Sequence, residues 1–193
     1  MLRRLYDWTL DQAARPGAER TLAFVSFIES SVFPIPPDVL LVPMVLADRL
    51  KAWRIALICT LASVLGGIAG YFIGAVLFEQ VGEPVLAFWG YDAKFTAFQE
   101  QYETWGAWAV LFAGLTPFPF KVITILSGAV SLDIWVFTVS ALIARGLRFY
   151  VEAALLWKFG EPIRDFVEKR LGWVAAVSLF ALIGGFVLAK YLL

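Results

Sequence analysis

The chain has 193 residues, of which 61% are hydrophobic and 17% charged, and its mean hydropathy is +0.77. A soluble domain of this size is usually about 45 to 50% apolar, so the composition is that of a small integral membrane protein. Sixteen Lys and Arg balance sixteen Asp and Glu, and there is no His and one cysteine, Cys59. No basic field argues for nucleic acid as a partner, and zinc, iron-sulfur, disulfide and His-based chemistry lack their side chains, so neither a metal nor a cofactor is expected.

Residues 1–19 place Leu2, Leu5, Tyr6 and Leu10 roughly on one helical face among charges. Without an apolar core and a small-residue cleavage site they do not read as a signal peptide, and an amphipathic segment lying in the interface is expected. Apolar runs follow at 21–47, 55–78, 106–132, 134–157 and 173–193. Each reaches the roughly 20 residues that cross a bilayer. Run 21–47, however, contains Glu29, Pro34, Pro36, Pro37, Asp38 and Pro43, and run 106–132 contains Pro117, Pro119 and Lys121. Closely spaced prolines remove backbone donors and clash with the preceding turn, so the helix breaks there. Each run then reads as two half-helices of about ten to thirteen residues, too short to span at about 1.5 Å per residue. The expected shape is a re-entrant hairpin with Pro34, Pro36 and Pro37 at one tip and Pro117 and Pro119 at the other. Simple proline kinks in ordinary spans are the alternative.

Charge separates the two. If run 21–47 returns to its own side, Arg3, Arg4, Arg15 and Arg20 share a face with Arg49, Lys51 and Arg54. Run 55–78 then crosses to segment 79–105, where five acids, Glu79, Glu83, Asp92, Glu100 and Glu103, meet the single base Lys94. Run 134–157 crosses back to Lys158, Arg164, Lys169 and Arg170, which collects eleven bases on one face against Lys94 and Lys190 on the other. That is the cytoplasmic excess the positive-inside rule requires, with the N-terminus inside. Two spanning runs would instead put 49–54 outside.

The hairpins also resemble each other at an offset of 83 residues, Pro34-Ile35-Pro36-Pro37-Asp38 over Pro117-Phe118-Pro119-Phe120-Lys121. A hairpin followed by a span, used twice from opposite faces, is an inverted-topology repeat of the kind found in secondary transporters. The expected fold is an all-α integral membrane protein forming one domain over 1–193. Its parts are the interfacial segment 1–19, repeat 1 at 20–78, an extracytoplasmic or interfacial segment at 79–105, repeat 2 at 106–159 and an extra C-terminal transmembrane helix at 173–193. Within 92–105, Phe95, Phe98, Tyr102 and Trp105 form an apolar face that is expected to lie in the interface, while 79–91 reads equally well as a linker. Gly66, Gly67, Gly70 and Gly74 form a small-residue face that lets another backbone come close.

Six charged residues fall inside the first four apolar runs: Glu29, Asp38, Lys121, Arg145, Arg148 and Glu152. Each costs roughly 2.5 to 3.5 kcal/mol at the centre of a membrane helix, so they need partners or a wet cavity. Arg145, Arg148 and Glu152 lie within about 60° of arc on one helix. Asp38 begins a half-helix, where a carboxylate meets free N–H groups, and Lys121 takes the equivalent position in the second hairpin. A network of ion pairs fixing hairpins to one helix is one expectation. The same cluster suits a substrate, because guanidinium forks bind phosphate oxygens in pairs and an acid among apolar neighbours is suited to carry a coupling proton.

These residues resemble the DedA family of bacterial membrane proteins, also called SNARE-associated or VTT-domain proteins, and within it the YqaA-like branch. The likeness runs through Phe27-Ile28-Glu29, Pro34-Ile35-Pro36-Pro37-Asp38, Gly66-Gly67 to Gly74, Thr116-Pro117-Phe118-Pro119-Phe120-Lys121, Ser127-Gly128-Ala129 and Arg145-Gly146-Leu147-Arg148. It implies opposed re-entrant hairpins, the bacterial inner membrane, and translocation of lipids such as undecaprenyl phosphate or phosphatidylethanolamine, tied to the proton gradient. The acidic pair of the family falls on Glu29 and Asp38. Of its two hairpin arginines, the first position is Gly114 here and the second is matched by Lys121, a point charge in place of a fork.

The function expected is a lipid translocase of flippase or scramblase type and not an enzyme, with membrane lipids and protons as partners. An ion- or proton-coupled transporter of a small soluble solute needs the same charges. An intramembrane lipid phosphatase would need a nucleophile such as Ser30 or Ser31 beside Glu29. The charge count makes a direct prediction about sidedness. With Cys59 replaced by Ala, an impermeant thiol reagent should label Glu100→Cys in intact cells and Leu50→Cys only after the membrane is opened; outside labelling of Leu50→Cys would contradict the hairpin reading.

Overall fold

The computed structural model describes residues 17–32, 36–89, 92–116, 118–160 and 162. Most of the expected interfacial segment 1–19, the hairpin prolines Pro34 and Pro117 and the expected span 173–193 lie outside the described residues. All regular structure among the described residues is helical.

Helix α1, Ala18–Ser31, opens behind Gly17, whose φ of 108° is left-handed backbone that glycine adopts without strain. Helix α2, Asp38–Ala47, begins directly after Pro36 and Pro37, with Asp38 in its first turn. A 3₁₀ turn, Arg49–Lys51, is held by the Asp48 carboxylate accepting from the Leu50 N–H, and leads into α3, Ala52–Leu77. A π-helical turn, Phe78–Gly82, joins α3 to α4, Glu83–Trp89. Then follow α5, Asp92–Leu115, α6, Phe120–Ala129, and α7, Ile134–Gly160. Asp133 caps α7 by accepting from the N–H groups of Trp135 and Val136, both at 2.9 Å.

Both proline-bearing runs are broken, the first at Pro36 and Pro37 and the second at Pro119, whereas Pro43 stands inside α2 without ending it. The first gives arms of 14 and 10 residues, α1 and α2, and the second arm of the second break, α6, also has 10. The first arm of the second break differs from expectation, since α5 is one helix of 24 residues that passes residue 105 without interruption. No proline or glycine stands between Asp92 and Trp105 to stop it, and a change from polar to apolar composition does not end a helix. The aromatic face within α5 also turns inward. Tyr102 is buried and its hydroxyl meets Ser127 Oγ of α6 at 3.0 Å, with Phe95 and Phe98 packed beside it, while Trp105 alone of the four is exposed.

Two helical stretches, Arg49–Phe88 and Ile134–Gly160, are long and apolar enough to cross a membrane. Their outward residues are apolar as well, with Leu57, Leu61 and Leu65 on α3 and Leu142, Ile143 and Leu147 on α7 all exposed. The inward faces form two separate cores. One joins Leu22 of α1 and Leu41 and Val45 of α2 to Ile55, Ala56 and Cys59 at the start of α3 and to Phe149, Ala153 and Leu156 at the end of α7. The other joins Phe120 and Ile123 of α6 and Val110 of α5 to Val64 of α3 and to Phe137 and Ala141 at the start of α7. Opposite ends of α3 and α7 thus share each core, so the two helices run antiparallel and each core takes one broken run.

Glycines bring α3 against both α1 and α6. A Cβ on Gly66 would collide with the carbonyl of Phe27 in α1, and one on Gly74 with the carbonyl of Ile125 in α6. Gly70 lies between them, facing the Ser30 carbonyl and Thr124 Oγ1. Close approach needs small residues here because lipid tails give helices no hydrophobic reason to associate. Gly66→Ala should therefore lower thermal stability in detergent by an amount in the overpacking range of about 1 to 3 kcal/mol. Gly146→Ala, whose new methyl would meet only Thr60 Cγ2 at 3.7 Å, should leave stability unchanged or raised.

Candidate functional site

The six charges of the apolar runs do not scatter. Arg145 of α7 is fully buried, and its Nη2 donates to Glu29 Oε2 of α1 at 2.7 Å while its Nε donates to Ser63 Oγ of α3 at 2.6 Å. Its guanidinium carbon lies 4.9 Å from the Phe120 ring centroid and 4.7 Å from that of Phe149. Phe120 belongs to one apolar core and Phe149 to the other, so the cation sits in the seam between them. Cation–π contact is worth about 2 kcal/mol when desolvated, which offsets part of the cost of burying the charge.

One turn further along α7, Arg148 Nη2 donates to Asp38 Oδ2 of α2 at 2.7 Å, and its Nη1 reaches the Thr116 carbonyl at 3.4 Å. The i, i+3 spacing of the two arginines thus becomes two ion pairs, one to each arm of the first broken run. Ser30 extends the network, its hydroxyl donating to Glu29 Oε2 at 3.1 Å and meeting Ser63 Oγ at 2.6 Å. Ser31 is turned away and bonds the carbonyls of Phe27 and Ile28. Glu152 stands one turn beyond Arg148 on the same helix. Lys121 Nζ donates to the Val32 carbonyl at 3.0 Å. Beside it Thr124 Oγ1 donates to the Ser30 carbonyl at 3.0 Å, so α6 also grips the end of α1.

The structure therefore brings Glu29, Asp38, Arg145 and Arg148 together and ties Lys121 to the end of α1 by a different bond. Pro37 caps α2 and Pro119 caps α6, which aims the first turns carrying Asp38 and Lys121. Ser63, Phe120 and Phe149 escaped the sequence reading as members of the site, and Ser30 was singled out only as a nucleophile. A hydroxyl in the middle of an otherwise apolar α3 and an aromatic one turn from Arg145 were the available signals. Gly114 is informative in the opposite sense. A Cβ there would crowd Ala144 Cβ, and Arg145 Cδ lies 3.7 Å away, so the guanidinium beside the second break comes from α7 and no side chain is accommodated at 114.

Two buried polar atoms of this cluster have no hydrogen-bond partner, Arg145 Nη1 and Asp38 Oδ1. Such groups are rare in a protein interior. Among the described residues no three potential metal ligands converge. A separate open cavity of about 470 Å³ is lined by Phe78, Glu79, Leu86, Phe95, Thr96 and Gln99, and none of the cluster charges reaches it.

Helices that bury arginine–carboxylate pairs between them and turn leucine and phenylalanine outward make up an all-helical membrane domain. The VTT domain model matches residues 35–158, and the chain belongs to that family, the DedA family of membrane proteins. An uncharacterized protein of Haemophilus influenzae is 37% identical over 188 residues, 95% of this chain and 96% of its own length. An uncharacterized homologue from Histophilus somni is 35% identical over 177 residues, 90% of this chain and 92% of its own. No solved structure matches the chain.

The two kinds of ion pair predict unequal costs. Glu29→Ala leaves the buried Arg145 without its counter-ion and should cost about 3 to 5 kcal/mol in chemical unfolding in detergent. Arg54→Ala removes a pair to Glu19 whose arginine is 67% exposed, and should cost less than about 1 kcal/mol. Equal losses would show that the Arg145 pair is not desolvated.

Proposed function

We propose that the protein moves an amphipathic, phosphate-bearing lipid across the bacterial inner membrane, with the headgroup passing through the Arg145–Arg148 cluster and the tails in the surrounding bilayer. The observation that carries this reading is a fully buried arginine at the seam of two apolar cores with its Nη1 amino group unpartnered. A lipid phosphate supplies what Nη1 lacks, and a guanidinium fork binds two of its oxygens at once. The apolar outer faces of α3 and α7 leave acyl chains in contact with lipid throughout, which a closed path for a soluble solute does not require.

In this reading the broken runs α1–α2 and α5–α6 are re-entrant hairpins, opposed as an inverted repeat, with the N-terminus cytoplasmic and the chain crossing several times. The two cores, each made from one broken run and opposite ends of α3 and α7, support that arrangement. Movement requires the ion pairs to exchange: a headgroup phosphate takes Arg145 from Glu29 and Arg148 from Asp38, so the resting pairs are the closed state. Protons favour exchange by neutralising the released carboxylates. No catalytic step is assigned to the chain.

Purified protein in liposomes should accelerate transbilayer movement of labelled phospholipid or undecaprenyl phosphate, in response to a pH gradient. Arg145→Ala should abolish it in folded protein, and Arg148→Ala should weaken it at least tenfold. Absence of any lipid movement, with gradient-driven uptake of a water-soluble solute, would replace this reading with that of a soluble-solute transporter.

A further inference from the structure

The hydrogen bonds around Arg145 close into a ring, and counting hydrogens fixes its direction. Glu29 Oε2 accepts from Arg145 Nη2 at 2.7 Å and from the Ser30 hydroxyl at 3.1 Å. A hydroxyl has one hydrogen to give. Ser30 gives its own to the carboxylate, so at the 2.6 Å contact between the two serines Ser63 is the donor and Ser30 the acceptor. Ser63 Oγ in turn accepts from Arg145 Nε at 2.6 Å, which returns the ring to the guanidinium where it began. Both serines are fully buried, and Gly66 and Gly70, facing the Phe27 and Ser30 carbonyls, hold α1 close enough to α3 for them to meet. Nε and Nη2 belong to one planar, rigid group. A shift that takes Nη2 from Glu29 therefore strains or breaks the Nε bond to Ser63 as well.

We infer that Ser63 is a positioning residue and the ring a latch, which holds the Nε and Nη2 side of Arg145 in the closed state and leaves Nη1, without a partner, as the nitrogen that a phosphate oxygen meets first. When the latch opens, Ser63 stays bonded to Ser30 and Ser30 to Glu29, so the carboxylate keeps one of the two donors to Oε2 and neither hydroxyl needs a new acceptor. The guanidinium exchanges its two ring acceptors for two oxygens of one phosphate. Without the Ser63 hydroxyl, Nε is buried and has no acceptor, which raises the energy of the closed state and not of the state in which phosphate holds that side. Ser63 thus sets how readily Arg145 is given up to an anionic headgroup. This role rests on the lipid reading above, whereas the ring itself does not.

Hydrogen exchange of arginine side chains, followed by nitrogen-15 NMR of the purified protein in detergent, reads the ring without any transport. The Arg145 Nε–H, assigned by its absence in Arg145→Lys, should exchange at least about tenfold more slowly than that of the exposed Arg54. Ser63→Ala should lose most of that protection and Ser63→Thr should retain it. Ser30→Ala combined with Ser63→Ala should exchange no faster than Ser63→Ala alone, because one missing member already opens the ring. A wild type in which no arginine Nε–H is slower than that of Arg54 overturns the inference even where a variant fails to fold, as does full protection in folded Ser63→Ala. In liposomes, folded Ser63→Ala should move labelled phospholipid roughly fivefold faster than wild type, since the unmade bond burdens the closed state alone. A defect of packing would lower the rate, so slower movement by folded Ser63→Ala overturns the latch. The expected protection together with no lipid movement by wild type would keep the ring and discard the lipid cargo.

Discussion

Arg145 has no contact with solvent, and the arrangement of the helices around it follows from that burial. A guanidinium removed from water needs a counter-charge, acceptors for its remaining N–H groups and polarizable surroundings. Glu29 supplies the first from α1, Ser63 an acceptor from α3, and Phe120 and Phe149 the surroundings from the two cores. Four elements thus have to meet at one point. A buried ion pair adds little net stability over an apolar filling, but it cannot be left half-made, so it fixes which elements meet even where it does not tighten them.

The rest of the packing makes that meeting possible. Gly66, Gly70 and Gly74 let α3 touch the backbones of α1 and α6, which draws the ends of both broken runs to the level of Ser63. Arg148 then reaches α2, Lys121 reaches the carbonyl that ends α1, and Thr124 bonds the Ser30 carbonyl. Every one of these contacts converges on the break between α1 and α2. The same break presents Asp38 at a helix start, where free N–H groups and the helix dipole favour negative charge, so the acid is stabilised from two directions.

Much of this was legible in the sequence because it depends on residues that have few physical options. Clustered prolines in apolar runs had to break helices, though the single Pro43 is carried inside α2, and charges in apolar runs had to find each other. The glycine face of α3 had to admit a backbone. Less legible was whatever depends on distance between segments. The i, i+3 spacing of Arg145 and Arg148 put them on one face, but not which acid each would hold. Lys121 was expected beside the arginines and bonds a carbonyl instead, because the four-carbon stem reaches the end of α1 directly. The helix α5 was expected to break near residue 105, and composition alone gave no helix terminator there. Ser63 and Phe149, ordinary residues by type, gain their roles only from standing next to a buried cation.

The central claim is that Arg145 and Glu29 act as one desolvated unit, and a double-mutant cycle tests it most directly. Unfolding free energies of the wild type, Glu29→Ala, Arg145→Ala and the double variant should yield a coupling near the upper end of the range of about 0.5 to 3 kcal/mol seen for residues in contact. The double variant would then be much less damaged than the sum of the single changes. Losses that add to within about 0.5 kcal/mol would contradict the account, because two independent charges cannot both remain buried at this seam.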